Sequence, residues 1–426
     1  MKYIAIYHAN LNYSGLEEER YEFVIRNSYE NIIDIYNDPL KGVPYCFEAS
    51  GYTIDKINEI CPDVMEKLKD AAKRNCEVLA SPYPHLMLPN FPYQDGLKSL
   101  EFTMETYQRI FGFTPESGWN PECGWRQDVP QMFKAAGFKN LIIDWEASLI
   151  SGNEEIKQFE RSNGPYGHHL PYYPVSPAEK SLHFPIKIMD GLTGIFRSDR
   201  VSNRFLFYLM AAMSENPLYQ QVSEAERNDH QSVTLEQIID NVNYWSGDKD
   251  GILITYADDA EYIGTSGYFL VKYYNKNEYF LENPSHGRLL QIIQGIKNLS
   301  DGFITVKDAV RQYPTITDQK VYIEDDMAWH RSKASSWAKT PTSLEWDPIC
   351  KDLSRRLSEI EARRVDKEMP KLRKAWFALT CAENSDGRWP PPPQKPGEFN
   401  INYCMHYLEE AKKLTKELEE DTEVKS

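Results

Sequence analysis

The chain alternates between short apolar runs and amphipathic stretches, and this alternation limits its fold more than any other feature. Apolar runs of strand length stand at 3–8, 44–49, 76–81, 116–121, 140–145, 193–198 and 251–257, seven in all. Helical patterns separate most of them. In "PDVMEKLKDAAKRN" (62–75), Val64, Met65, Leu68 and Ala72 recur at helical spacing behind a proline suited to the first helical turn. "DVPQMFKAAGF" (128–138) repeats the device and stops at Gly137. Strand–helix alternation dictates a parallel sheet, and long connections suit a barrel with elaborated loops. After about residue 318 the texture becomes helical and charge-laced, with apolar stripes at Leu353, Leu357 and Ile360, then Leu372, Trp376 and Leu379. "PPPP" (390–393) interrupts it before a last helix over roughly 399–420, and the tail "EEDTEVKS" reads as frayed. The expected organisation is α/β: a βα domain over 1–318 and a helical domain over 319–426.

Composition narrows the partners. The 426 residues include 13% aromatics, with 27 tyrosines and 9 tryptophans, as polar-rimmed aromatic clefts require. A net charge of −16 disfavours nucleic acid and anionic membrane surfaces, and suits both solubility and a neutral substrate. Seven scattered cysteines with no CxxC pair indicate neither a zinc ribbon nor a disulfide framework. A reducing, cytoplasmic compartment fits best. The opening "MKYIAIYHAN" is too short in apolar length for a signal peptide and reads as a first strand, and no run approaches the ~18 apolar residues of a membrane span.

In parallel βα folds, ligands bind at the carboxyl ends of strands. Those ends carry His8 and Asn10, Glu48, Tyr83 and His85, Glu122, Asp144 and Trp145, Arg197 and Asp199, and Asp258 and Asp259. Any single strand-end aspartate is most often a helix cap or turn former. Arg197 with Asp199 reads equally as a sugar-hydroxyl site or a structural ion pair. As a set, the carboxylates converge on one rim at a cost in mutual repulsion. In "ESGWNPECGWRQD" (116–128), Glu122 sits between Trp119 and Trp125, whose rings suit either core packing or stacking on a sugar. In "YADDAEYIG" (256–264), Asp259 has Asp258 and Glu261 close by. Two carboxylates flanking a glycosidic bond are the usual equipment of a glycosidase, one of them kept protonated near neutral pH.

The chain resembles glycoside hydrolase family 57 over nearly its whole length. "YHAN" (7–10), "CEVLASPYPHLMLP" (76–89), "GWNPECGW" (118–125), "DDAEYIG" (258–264) and "AENSDGRW" (382–389) follow the order of that family's five motifs. "FEASGYTIDKINEICPDVMEKL" (47–68) also resembles the family between its first two motifs. The resemblance implies a (β/α)7 barrel followed by a C-terminal helical bundle that contributes to the active-site cleft. It implies a retaining, two-step mechanism on α-linked sugars, mostly α-glucans, without cofactor or metal. Glu122 takes the nucleophile's position and Asp259 that of the acid/base. Substrate contacts are expected from His8, Asn10, His85, Trp119, Trp125, Trp145, Arg197, Asp258, Glu261, Asp386 and Trp389. The first motif departs from the family's His-Gln-Pro, reading His8-Ala9-Asn10, and Ala260 replaces an aromatic or glycine in the fourth. An exo-acting α-galactosidase of the same family is the nearest alternative. A metal-dependent polysaccharide deacetylase would want a histidine pair at i, i+4, and none of the nine histidines has such a partner. A non-catalytic carbohydrate binder need not keep both Glu122 and Asp259.

Overall fold

The computed structural model describes residues 1–12, 16–163, 171–247, 250–274, 280–299, 302–363, 370–390 and 401–423. Eight strands make one sheet: β1 (Lys2–Ala9), β2 (Tyr45–Ser50), β3 (Cys76–Ser81), β4 (Ser117–Trp119), β5 (Asn140–Asp144), β6 (Ile186–Met189), β7 (Leu192–Arg197) and β8 (Ile252–Asp259). Their order is β6-β7-β5-β4-β3-β2-β1-β8, and among these described strands only β6 runs antiparallel to its neighbour. The seven parallel strands are the seven apolar runs of the sequence. The eighth, β6, escapes a search for apolar runs because its residues alternate and it joins β7 through a tight turn at Gly191 (φ 80°). β4 ends sooner than its run suggests. Pro121 offers no N–H for a ladder, and Glu122 and Cys123 then turn into the left-handed region (φ 54° and 48°).

Strand alternation divides the buried residues into two clusters. On β1, Ile4 and Ile6 belong to one, and Tyr3, Ala5 and Tyr7 to the other. Cys46, Leu79, Trp119, Ile142, Ile195 and Ile252 join the first, while their chain neighbours Phe47, Val78, Ile143, Phe196 and Leu253 join the second. The first, smaller cluster thus collects one face of every parallel strand, so the sheet is curled around it, and helices cover the other face. Ile304 and Val306 close the inner cluster where Ile304 N–H donates to the Tyr3 carbonyl (2.8 Å), near the amino end of β1.

One irregularity sets the phase of β8. Ile4 pairs with Ile254 but Ala5 with Tyr256, so Thr255 is bulged out, its hydroxyl donating to the Ile4 carbonyl (3.2 Å). Inward residues therefore run Ile252, Ile254, then Ala257. Asp259 falls in the inward phase, opposite His8, and Asp258 sits opposite Tyr7.

The expected helices at 62–75 and 128–138 appear as Pro62–Ala72 and Val129–Ala136, the latter ended by Gly137 in a left-handed cap (φ 102°). After 318 come an irregular stretch and three long helices, Pro341–Arg363, Pro370–Ala382 and Ile401–Glu423. Arg356–Glu419 (2.5 Å) and Lys371–Asp421 (3.0 Å) tie these helices to one another. Ser354 donates to Asp95 (2.5 Å) on the helix Tyr93–Phe111 of the βα part. The prolines expected to interrupt this region at 391–393 and the end of the tail at 424–426 lie outside the described residues.

The segment leading to Glu122 is held by close packing. A β-carbon on Gly118 of β4 would meet the Phe133 ring at 2.7 Å and Phe138 at 3.0 Å, beneath the helix Val129–Ala136. Gly118→Ala should therefore destabilise the fold by about 1–3 kcal/mol, read as a lower urea midpoint at unchanged slope.

Candidate active site

The inward phase of the strands places polar groups at the carboxyl end of the apolar inner cluster. Asp259, His8 and Glu48 sit side by side on β8, β1 and β2, and Asp144 pairs with Arg197 across β5 and β7. His8 Nδ1 contacts a Glu48 carboxylate oxygen. Its ring stacks on Trp119 (5.4 Å between centroids, 15° between planes) and lies 5.1 Å from the His85 ring. Burial works to lower the His8 pKa, but Glu48, with Asp259 and Glu261, outweighs this and lifts it to about 10. Among the described residues His85 has no carboxylate at hydrogen-bond distance. Burial and the neighbouring His8 hold it well below the ordinary histidine value. Its Nδ1 faces the Ser385 hydroxyl (3.1 Å), with Asp386 at 3.8 Å.

Glu122 follows β4 in a left-handed conformation and is only 3% exposed, and its Oε2 has no hydrogen-bond partner among the described residues. Burial first, then the charges of Asp386 and Asp259, push its carboxyl well above the usual range; His8 and the Trp329 side chain act the other way. The sequence reading wanted an ionised Glu122 beside a protonated acid. The surroundings found here instead favour retention of a proton on Glu122 itself. Asp259 is 8% exposed and acts electrostatically on His8, Glu122 and Glu261. Asp258 acts instead on Arg197 and His330, and its carboxylate accepts from the Asp259 N–H (2.8 Å).

The fifth motif reaches this mouth from the other end of the chain. Asn10 donates through its side chain to Asp386 (3.2 Å) and through its backbone N–H to Glu261 (2.8 Å). Glu261 also accepts from the Tyr29 hydroxyl. Burial, then Asp259, raises Glu261 to about 8. Glu261 thus anchors the turn after β8 to the end of β1. Trp389 packs edge-on against Trp337 (5.5 Å) and lies 6.0 Å from Tyr268.

Other expected contacts take structural places. Trp145 is buried against Trp245 (5.9 Å), its indole N–H donating to Ser181 (3.3 Å), rather than in the group around His8. Trp125 belongs to the outer apolar cluster. Asp144 caps the helix Trp145–Ile150 through the Ala147 N–H (2.8 Å) and accepts from Arg197 (2.9 Å), which also donates to Asp199 (2.6 Å). Arg197 is therefore a fully buried bridge between two acids. Tyr83 donates to Asp55 (2.9 Å) and packs on Tyr52 and Phe377. Oxygens of Asp144, Glu146 and Asp199 come within 4.8 Å of one another, a spacing that could hold a cation. Arg197 and Arg200 (3.3 Å from Glu146) already supply positive charge there, and the set holds no histidine or cysteine.

Three residues of the mouth were not selected from sequence. Glu48 appeared among the strand ends but lacked a motif. Trp329 donates its backbone N–H to the Glu122 carbonyl (2.7 Å), packs edge-on against Trp119 (6.1 Å) and lies under the Arg197 guanidinium (5.4 Å). His330 stands 3.1 Å from Asp199. The aromatic–basic "AWHR" (328–331) inside a polar stretch was their only signal.

The family model for glycosyl hydrolase family 57 matches residues 1–313. The chain belongs to glycosyl hydrolase family 57. Solved structures agree in fold with this family 57 chain. A 4-alpha-glucanotransferase from Thermococcus litoralis superposes with a TM-score of 0.59 at 15% identity, over 97% of this chain and 57% of that one. A family 57-type branching enzyme from Pyrococcus horikoshii gives 0.64 at 11% identity, over 98% and 87%. The alpha-amylase AmyC from Thermotoga maritima gives 0.61 at 12%, over 98% and 93%. This family 57 chain thus spans little more than half of the glucanotransferase. A search of curated proteins finds no match. No helix among the described residues is long and apolar enough to cross a membrane.

The buried acids have a consequence for stability. Glu77, Glu261 and Asp144 are pushed up to about 7, 8 and 8, each chiefly by burial. Their unfolded values lie near ~4. Between those limits the unfolded chain releases protons that the folded chain keeps, so stability falls as pH rises. His8, raised to about 10, contributes stability that is complete below ~6.5 and lost towards 10, which adds to the same trend. The urea midpoint should be higher at pH 5.5 than at pH 8.5.

Proposed function

We propose that this chain is a retaining glycoside hydrolase or transglycosylase for α-linked glycans of the α-glucan class, with Glu122 as nucleophile and Asp259 as acid/base. The observation that carries the reading is the Glu122 carboxyl, buried, with one oxygen unpartnered, in the field of Asp259 across the end of the sheet. Family membership and neighbours named as a glucanotransferase, a branching enzyme and an amylase support the substrate class. Within this reading the curled sheet is a (β/α)7 barrel, and residues 319–426 form a helical domain that brings Asp386 and Trp389 to its mouth. His8, Asn10, His85, Asp386 and Trp389 hold sugar hydroxyls and ring faces, and Trp119 braces His8. No metal or cofactor takes part. Seven buried free cysteines suit a reducing, cytoplasmic setting.

The chemistry follows from the charge balance. Asp386 and Asp259 act on Glu122, and Asp259 acts on Glu261, while Glu48 pairs with the nearby cation His8. Such a set keeps protons near neutral pH, shared among its members. Glu122 attacks the anomeric carbon in its ionised form, to which His8 and Trp329 lend support. The leaving oxygen takes the proton of Asp259. An incoming hydroxyl then gives its proton back to Asp259 as it displaces Glu122 from the sugar. Retention by this route requires carboxyl groups about 5–5.5 Å apart.

Glu122→Gln should abolish the first step on every substrate. Asp259→Asn should still form the glycosyl-enzyme from aryl α-glycosides and then stall. Azide should release it as a glycosyl azide of retained configuration, whereas with Glu122→Gly azide should give the inverted product. Inversion with Asp259→Asn would swap the roles, and azide rescue of Asp258→Asn instead would move the acid/base by one residue. Turnover should survive EDTA; loss with EDTA and recovery with a divalent ion would overturn the metal-free mechanism. A panel of α-glucans and aryl α-galactosides separates the α-glucan reading from an exo-α-galactosidase.

A further inference from the structure

Asn10 stands where the first motif departs from the family's His-Gln-Pro, and its contacts give that departure physical content. It directly follows the end of β1 and is buried. Its Oδ1 accepts from the Asn12 N–H (3.1 Å), which settles how the amide faces. Its Nδ2 donates to Asp386 Oδ2 of the fifth motif (3.2 Å). Its backbone N–H donates to Glu261 Oε1 (2.8 Å), in the turn that follows Asp259. A proline at this position would supply neither donor. Asp386 is also fixed through its backbone, where its N–H donates to Asn384 Oδ1 (3.0 Å) and the Ser385 N–H to the His85 carbonyl (3.1 Å). Arg388, two residues further on, is bound to Asp347 (2.6 Å). Around Asp386 stand His85 (3.8 Å), kept neutral by burial and His8, and then Glu122, Tyr21 and Cys404. Around Glu261 stand Asp259, His8 and Tyr29.

We propose that Asn10 is a positioning residue: it clamps Asp386 and the turn after β8 to the end of β1, so that the Asp386 carboxylate meets the bound sugar and Glu122 in one fixed orientation. The inference rests on the glycosidase reading above and deepens it, since Asn10 takes its part in sugar binding through Asp386. A neutral amide suits the task. It orients a carboxylate without cancelling its charge, whereas a lysine or arginine would form an ion pair with it. The charge that Asp386 keeps strengthens the hold of Glu122 on its proton, second to burial. Movement of Asp386 therefore changes both the grip on the sugar and the pH at which Glu122 can attack. Through this one asparagine the first, fourth and fifth motifs, far apart in the sequence, share a single set of hydrogen bonds.

Asn10→Asp in the full chain tests this. The new carboxyl has the same shape and can keep the contact with Asp386 only by sharing a proton with it. That proton is held at low pH and lost as pH rises, when two like charges push Asp386 from its place. With an aryl α-glucoside as probe, kcat/KM of Asn10→Asp relative to the unaltered chain should fall about tenfold between pH 5.5 and pH 8. A merely structural defect lowers it by one factor at both pH values, and that result overturns the positioning role. Urea midpoints read the clamp without turnover. The gap between Asn10→Asp and the unaltered chain should widen from pH 5.5 to pH 8, because the folded pair holds its proton above the unfolded carboxyl value of ~4. Exchanging the partners, Asn10→Asp together with Asp386→Asn, should close the gap at both pH values. A gap equal at both pH values, or one that persists in the exchanged protein, overturns the clamp. If Asn10→Asp does not fold, Asn10→Ala and Asp386→Ala replace it: the double variant should lose less in urea than the sum of the single losses, and additive losses overturn the clamp. A pH-dependent gap without turnover of any glycoside by the unaltered chain leaves the clamp standing and overturns the glycosidase reading.

Discussion

The pairing of His8 with Glu48 is the contact on which the mouth of the sheet depends. Four carboxyl groups, those of Glu122, Asp259, Glu261 and Asp386, are buried there. An unopposed set of buried anions would cost far more than a fold of this size can spare. His8 offsets part of that repulsion. It keeps its charge because Glu48, one strand away in register, outweighs burial together with Asp259 and Glu261. The same ring lies flat on Trp119, whose strand leads directly into the turn carrying Glu122. Charge and packing at the site therefore pass through one imidazole.

A second brace works on the backbone. Glu122 sits in a torsion that side chains rarely adopt, and the stretch around Trp329 holds it there. Trp329 binds the Glu122 carbonyl, Trp125 N–H donates to the Met327 carbonyl (2.8 Å), and Asp326 N–H donates to the Trp125 carbonyl (2.9 Å). Asp326, His330 and Arg331 are themselves left-handed (φ 75°, 52° and 61°). Strain in one turn is thus met by an equally unusual partner turn from a distant part of the sequence.

The strands were legible because apolar runs bounded by helical patterns leave few alternatives, and the places of Glu122 and Asp259 at the rim were legible because strand ends and motifs coincide on them. Trp145 shows where that logic ends. It too follows a strand, but the helix capped by Asp144 carries its ring into the outer packing against Trp245. Sequence position tells that a residue lies at a rim, not which way it leaves the rim. Arg197 and Asp199 had two open readings, and only the spacing of their charged atoms shows them paired. Trp329 and His330 were hidden because nothing local announces a loop whose order comes from contacts with Glu122 and Asp199. The direction of the Glu122 shift was also beyond sequence, since it comes from burial first and then from Asp386, more than half the chain away, folding back to the mouth.

The bulge at Thr255 behaves like a frameshift written in side chains. One extra residue upstream decides which member of an Asp-Asp pair faces the interior, although the pair itself is untouched. Two chains could share the same Asp-Asp letters and still present different acids to a substrate. Counting from the letters alone would then assign the wrong proton donor, and the error would lie several residues away from the motif, in a threonine with no chemistry of its own.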